Sequence, residues 1–115
     1  MKILVVDDDY AMRDLLKLML KDYEVYEAEN GLEAIEVFRR ARPDIVLMDI
    51  MMPEMDGITA TQELLKMDNN TVIIGVTAFA SHKGREILKA GAKDVIEKPF
   101  TKKKLIETLT KYVNK

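Results

Sequence analysis

Cysteine is missing from this 115-residue chain, and histidine occurs once, at His82. The first absence excludes a disulfide scaffold and a thiolate metal centre, and the two together argue against any soft-metal site. No apolar run approaches the roughly 20 residues of a membrane span, and the N-terminus lacks the basic, apolar, small-residue order of a signal peptide. Neither sign of charge dominates: 18 Lys and Arg stand against 20 Asp and Glu, for a formal charge of −2 at pH 7. A clustered basic face, the footprint of nucleic-acid binding, is therefore not expected. The one basic run, Lys102 to Lys104, reads as the solvated start of a helix. No stretch has the composition of a linker, and the length suits one ordinary domain over 1–115 with no output domain attached. The expectation is a soluble cytoplasmic protein with no membrane attachment and no direct nucleic-acid contact.

What the chain does contain is a repeated change of apolar period. Ile3 to Val6, Ile45 to Met48 and Val72 to Val76 are short continuous apolar runs rich in branched residues, as expected of central parallel strands covered on both faces. Glu24 to Ala28 alternates, and Asp94 to Glu97 is apolar only in its middle, so these two read as edge strands. Helical patterns lie between: Met12, Leu15, Leu16 and Met19; Ile35, Phe38 and Ala41; Ile58, Leu64 and Leu65; Ile87, Leu88 and Ala90; and Leu105, Ile106, Leu109, Tyr112 and Val113. Asn30 with Glu33 reads as a capping box, Asp56, Ser81 and Thr101 as N-caps, Pro43 as a stop, and Gly91 as a left-handed helix end. Five βα units predict an α/β fold, a doubly wound parallel sheet with helices on both faces. With an edge second strand the order becomes 2-1-3-4-5, the flavodoxin-like arrangement.

In open sheets of this kind ligands bind beyond the carboxyl ends of the strands, at the switch point between strands one and three. There the first strand ends in Asp7, Asp8 and Asp9, the third in Asp49, the fourth in Thr77, and the fifth runs into Lys98 and Pro99. Taken singly, each is ordinary: acidic residues begin helices, Thr suits strands, and lysines coat surfaces. His82, beside Ser81, reads as a surface residue, and the eight methionines as core filler. Joint occurrence at one sheet edge points to phosphoryl transfer. Carboxylates brought together repel, so their coexistence calls for a cation, and magnesium suits hard oxygen donors with one or two carboxylates. Asp49, alone at its strand end, is the natural nucleophile. Asp7 and Asp8 are placed to hold the metal, and Lys98 and Thr77 can neutralise charge on the transferring group.

At these residues the sequence resembles the receiver family of two-component signalling, over essentially the whole span from Lys2 to Tyr112. The matching pieces are Leu4 to Asp9, Asp49 to Gly57, Val76-Thr77-Ala78, Gly91-Ala92 and Lys98-Pro99-Phe100. The resemblance implies that Asp8 and Asp49 ligate magnesium directly together with the backbone carbonyl of Met51, and that Asp7 acts through a metal-bound water. It implies that Thr77 and Lys98 bind phosphoryl oxygens and that the Lys98–Pro99 bond is cis. It also implies partners: a histidine kinase or histidine phosphotransfer protein as donor, and a downstream protein read through the helix 4, strand 5, helix 5 face. On this reading the chain is a switch that catalyses only its own phosphorylation and dephosphorylation, not an enzyme acting on other substrates.

One departure stands out: Val95 occupies the middle of strand five, where receivers usually carry Tyr or Phe. Met51 and Phe79, the apolar residues two positions after Asp49 and Thr77, cannot hold a water in line with phosphorus, which predicts slow self-dephosphorylation. The alternatives are a relay intermediary, a pseudo-receiver without chemistry, and a small haloacid dehalogenase-like phosphohydrolase. That last one would use Asp7 as nucleophile and Asp9 as acid/base, but lacks the expected Thr or Val at Ala11.

Overall fold

The computed structural model describes residues 1–52, 54–78 and 82–113. Five strands alternate with five helices: β1 (Lys2–Val6), α1 (Tyr10–Met19), β2 (Glu24–Ala28), α2 (Gly31–Ala41), β3 (Ile45–Asp49), α3 (Gly57–Met67), β4 (Val72–Ala78), α4 (Lys83–Ala90), β5 (Asp94–Lys98) and α5 (Lys102–Val113). All strand pairs are parallel and the order is β2-β1-β3-β4-β5, as the edge assignment of Glu24 to Ala28 requires.

The two-residue period of the strands sorts the core into two layers. Leu4, Val6, Val46, Met48 and Ile73 face α2, α3 and α4, meeting Val37, Phe38, Leu64 and Ile87. Ile3, Val5, Ile45, Leu47, Ile74, Val76 and Ile96 face α1 and α5, meeting Leu16, Leu20, Leu105 and Leu109. Every residue of β3 is buried, which explains its unbroken apolar run. Among the described residues no helix is long and apolar enough to cross a membrane.

Most of the expected punctuation is in place. Asp56 Oδ1 accepts from the Thr59 amide at 2.8 Å, and Thr101 Oγ1 from the Lys104 amide at 3.0 Å. Gly91 closes α4 at φ 120°, a backbone region that side chains avoid. The α2 box differs in one detail: Asn30 Oδ1 accepts from the Glu33 amide at 2.8 Å, but Glu33 Oε1 reaches the amide of Glu29 rather than that of Asn30. The Ser81 cap falls outside the described residues. Helix α1 is rotated relative to its apolar pattern, with Leu15 exposed and the charged Arg13 buried in its place. Leu88, assigned to the inner face of α4, is exposed too, leaving Ile87 as that helix's buried residue.

The loop from Asp49 to α3 is closed tightly by Gly57, whose amide donates to the Ile50 carbonyl at 2.9 Å. A Cβ at Gly57 would stand 2.3 Å from the Asp49 carbonyl oxygen, and backbone cannot yield as a flexible side chain can. Gly57→Ala is therefore expected to destabilise the fold by about 1–3 kcal/mol, read as a lower urea midpoint at unchanged slope. An unchanged midpoint would show that the loop has slack.

Candidate functional site

Parallel register brings the polar strand ends to one edge. Val6 pairs with Met48, Asp49 with Val76, and Ala78 with Lys98, so the residues that follow or end these strands converge at the carboxyl side of the sheet. Since β1 continues to β2 on one side and β3 to β4 on the other, the chain diverges there and leaves room above Asp7 and Asp49.

Asp7 and Asp49 are nearly inaccessible, 2% and 7% exposed, whereas Asp8 is open to solvent. Oxygen atoms of the three carboxylates lie within 4.8 Å of one another. The Lys98 ammonium reaches in from the end of β5, 3.4 Å from Asp7 Oδ2 and 3.7 Å from Asp49 Oδ1. The Lys98–Pro99 peptide bond is cis. Thr77 comes up from β4; its hydroxyl is buried and makes no hydrogen bond among the described residues. A buried hydroxyl without a partner costs about 1–3 kcal/mol, a cost that an anionic oxygen beside it would remove. Met51 lies in the loop after β3 and is 64% exposed, while Phe79 falls outside the described residues.

The electrostatics follow from this crowding. Burial first, and then the neighbouring Asp7 charge, push the Asp49 carboxyl up to about 7; Lys98 opposes the shift, and Asp8 adds to it. Three carboxylates sharing a few ångströms with one ammonium carry excess negative charge, and their donors are all hard oxygens. The set fits a small hard dication such as magnesium and does not fit a soft metal.

The Asp9 amide donates to Asp7 Oδ1 at 2.9 Å, but its carboxylate is not one of this group. It caps α1, its Oδ1 accepting from the amides of Ala11 at 3.0 Å and Met12 at 3.4 Å. With Asp9 held there, Asp7 and Asp9 do not form the nucleophile and acid/base pair that the hydrolase alternative needs. His82 is exposed and makes no side-chain cap to α4.

Sequence reasoning passed over Arg13. Its Nη1 donates to the backbone carbonyl of Asp7 at 2.6 Å, and its Nε to Glu27 Oε1 on β2 at 3.2 Å. Lys17 Nζ donates to the other Glu27 oxygen at 2.9 Å. The hydrogen bond from Lys17 first, and that from Arg13 after the opposing cost of burial, hold the Glu27 carboxyl below its usual range. A charged residue inside an otherwise apolar helical stripe was the available signal.

The sequence pattern of the response regulator receiver domain family matches residues 3–110. The chain is similar to the chemotaxis protein CheY of Thermotoga maritima, 46% identical over 114 residues that cover 96% of this chain and 95% of that protein. It is likewise similar to the chemotaxis protein CheY of Bacillus subtilis, 43% identical over 117 residues covering 98% of each. Among solved structures, the chemotaxis protein CheY4 of Vibrio cholerae superimposes with a TM-score of 0.90 at 32% identity, covering 97% of this chain and 98% of that one.

The raised pKa of Asp49 carries a pH dependence with a definite sign. The folded value, about 7, lies above the ordinary 3.8, so the folded chain keeps a proton that the unfolded chain has released. The resulting stability is complete below about 3.8, erodes as pH rises, and is gone above about 7. In magnesium-free buffer the melting temperature is expected to fall between about pH 5 and 7. Asp49→Asn, which cannot ionise, should lack that fall and melt roughly 5 °C or more above the unaltered chain at about pH 8. Parallel pH profiles for the two proteins would expose a shared source elsewhere.

Proposed function

The chain belongs to the response regulator receiver domain family, the phosphorylation-dependent switch of two-component signalling, and from that premise we propose that its phosphoacceptor is Asp49. The observation that carries the assignment is the convergence of Asp7, Asp8, Asp49 and Lys98 at the carboxyl edge of the sheet. A receiver is a signalling domain, not an enzyme in the usual sense, and the chemistry it performs is on itself. The phosphoryl donor is a phosphohistidine of a histidine kinase or histidine phosphotransfer protein. An Asp49 carboxylate oxygen bonds to phosphorus while the phosphorus–nitrogen bond of the donor breaks. The electron pair leaves with the imidazole, which takes up a proton, and an acyl phosphate remains on Asp49.

Each neighbour has a task in this step. Lys98, already poised 3.7 Å from Asp49, lowers the cost of ionising a buried nucleophile and then faces the charge on the incoming group. Thr77 donates its unpartnered hydroxyl to a phosphoryl oxygen. Asp7, Asp8 and Asp49, with the backbone carbonyl of Met51, would hold magnesium, which supplies charge neutralisation at the transferring group when bound.

Output runs through the face of α4, β5 and α5 to a protein partner. Ile87 is the buried residue of α4, and it packs over Gly75, where the side chain of Ile50 also comes close. Ile50 directly follows Asp49, so a change at the phosphoacceptor has a short apolar route to α4. Val95, in place of the usual aromatic, lies under Gly84 of the same helix. End-to-end similarity to chemotaxis proteins favours a diffusible chemotaxis-type regulator. Relay intermediary is the second reading, favoured by the apolar, exposed Met51 beside the acceptor, which gives an attacking water no hydrogen bond.

A small-molecule phosphodonor with magnesium is expected to add one phosphoryl group per chain, seen by intact mass, and none to Asp49→Asn. Asp8→Asn should lose labelling and Asp9→Ala should keep most of it. Undiminished labelling of Asp49→Asn would refute the acceptor, and no labelling of the unaltered chain would leave a pseudo-receiver.

Lifetime separates the two circuit readings. The phosphoryl group is expected to persist on the unaltered chain and to decay faster in Met51→Asn at fixed magnesium, followed by the fall of the phosphorylated mass. Equal decay rates would mean that this side chain does not control water.

A further inference from the structure

Arg13 has no part in the proposed transfer, yet it is the one buried arginine, 9% exposed, on a helix face that its neighbours Leu16 and Leu20 make apolar. Burying a guanidinium is costly unless its donors are matched, and such pairs are poor sources of net stability. What distinguishes this one is where it is aimed. Its Nη1 donates at 2.6 Å to the carbonyl of the peptide bond that joins Asp7 to Asp8, while Nε is anchored on Glu27. The amide of that same Asp7 donates to the Ala28 carbonyl at 3.1 Å, one residue along β2 from Glu27. The Asp7 backbone is thus held at both ends, its amide by the β2 main chain and its carbonyl, in the peptide that leads to Asp8, by a guanidinium rooted in β2.

We propose that Arg13 is a positioning residue for the cation site: it fixes the Asp7–Asp8 peptide plane, and so the direction of the Asp8 carboxylate, before any ion arrives. This rests on Asp7, Asp8 and Asp49 being that site. Asp8 is exposed and would otherwise sample many orientations, each to be frozen at the moment of binding. Holding the peptide plane in advance moves that cost into folding. Lys17 donates to the other Glu27 oxygen at 2.9 Å and leaves Oε1 to Arg13. The positive charge of Arg13 works the other way, since a cation near the site repels an incoming dication. Geometry and charge therefore predict opposite signs for its removal.

Calorimetric titration of the full chain with magnesium chloride, beside thermal melts in magnesium-free buffer, tests this. Arg13→Lys keeps the charge and loses the fork, and should bind magnesium about 10-fold or more weakly, as is usual when support behind a metal ligand is removed. Arg13→Met should bind weakly as well, even though repulsion is relieved. Lys17→Met, which leaves the Arg13 bond to Asp7 in place, should bind like the unaltered chain whatever its melting temperature. If the Arg13 variants fold poorly, Glu27→Gln loosens the anchor and should show a smaller loss of the same sign. Unchanged affinity in Arg13→Lys, tighter binding in Arg13→Met, or losses that track melting temperature in the Lys17 and Arg13 variants alike would each overturn the positioning role. An unaltered chain that binds no magnesium would overturn the cation site itself, a separate result from wild-type binding with indifferent Arg13 variants.

Discussion

Two carboxylates buried at the end of an apolar sheet set the terms for everything around them. Burial and then the charge of Asp7 disfavour ionisation of Asp49, and Lys98 offsets only part of this. The fold tolerates this because the parallel topology forces the ends of β1 and β3 together where the chain diverges, so the strain is localised at one edge while two large apolar layers hold the rest. A site that is electrostatically unfinished has an affinity for what completes it. Cation and anion are each drawn in by the charge that the other leaves uncompensated.

Much of this was legible in the sequence because it is written in local chemistry. Continuous apolar runs marked β1, β3 and β4, alternation marked β2, and acidic or basic residues at strand ends marked the edge where Asp7, Asp8, Asp49 and Lys98 meet. Asp9, last of the acidic run, is instead the N-cap of α1, a role fixed within three residues. What stayed hidden depends on contacts distant in sequence. Periodicity turned α1 so that Leu15 faced inward, because an apolar side chain looks buried by default. The actual rotation is set by Arg13 reaching the Asp7 carbonyl and Glu27 on β2, a pairing across 14 residues that no helical pattern encodes. Glu33 reaching Glu29 instead of Asn30 is a smaller, local difference, a shift of one residue within the same turn.

The helices differ in how firmly they are attached, and the difference has direction. Phe38, Val37, Ala34 and Ala41 seat α2 deeply, while α4 has Ile87, lodged over Gly75. A single apolar peg in a notch without a side chain gives position with little resistance to rotation. Helix α4, part of the proposed output face, is thus the helix with the fewest buried side chains among the described residues.

Tyr10 lends the molecule a further property. The chain has no tryptophan, so its near-ultraviolet emission comes from four tyrosines. Tyr10 is the one whose ring lies 5.5 Å from the Arg13 guanidinium, on the turn that begins immediately after the acidic loop. The acidic edge of the sheet thus has an intrinsic fluorophore beside it, one of the four in the chain.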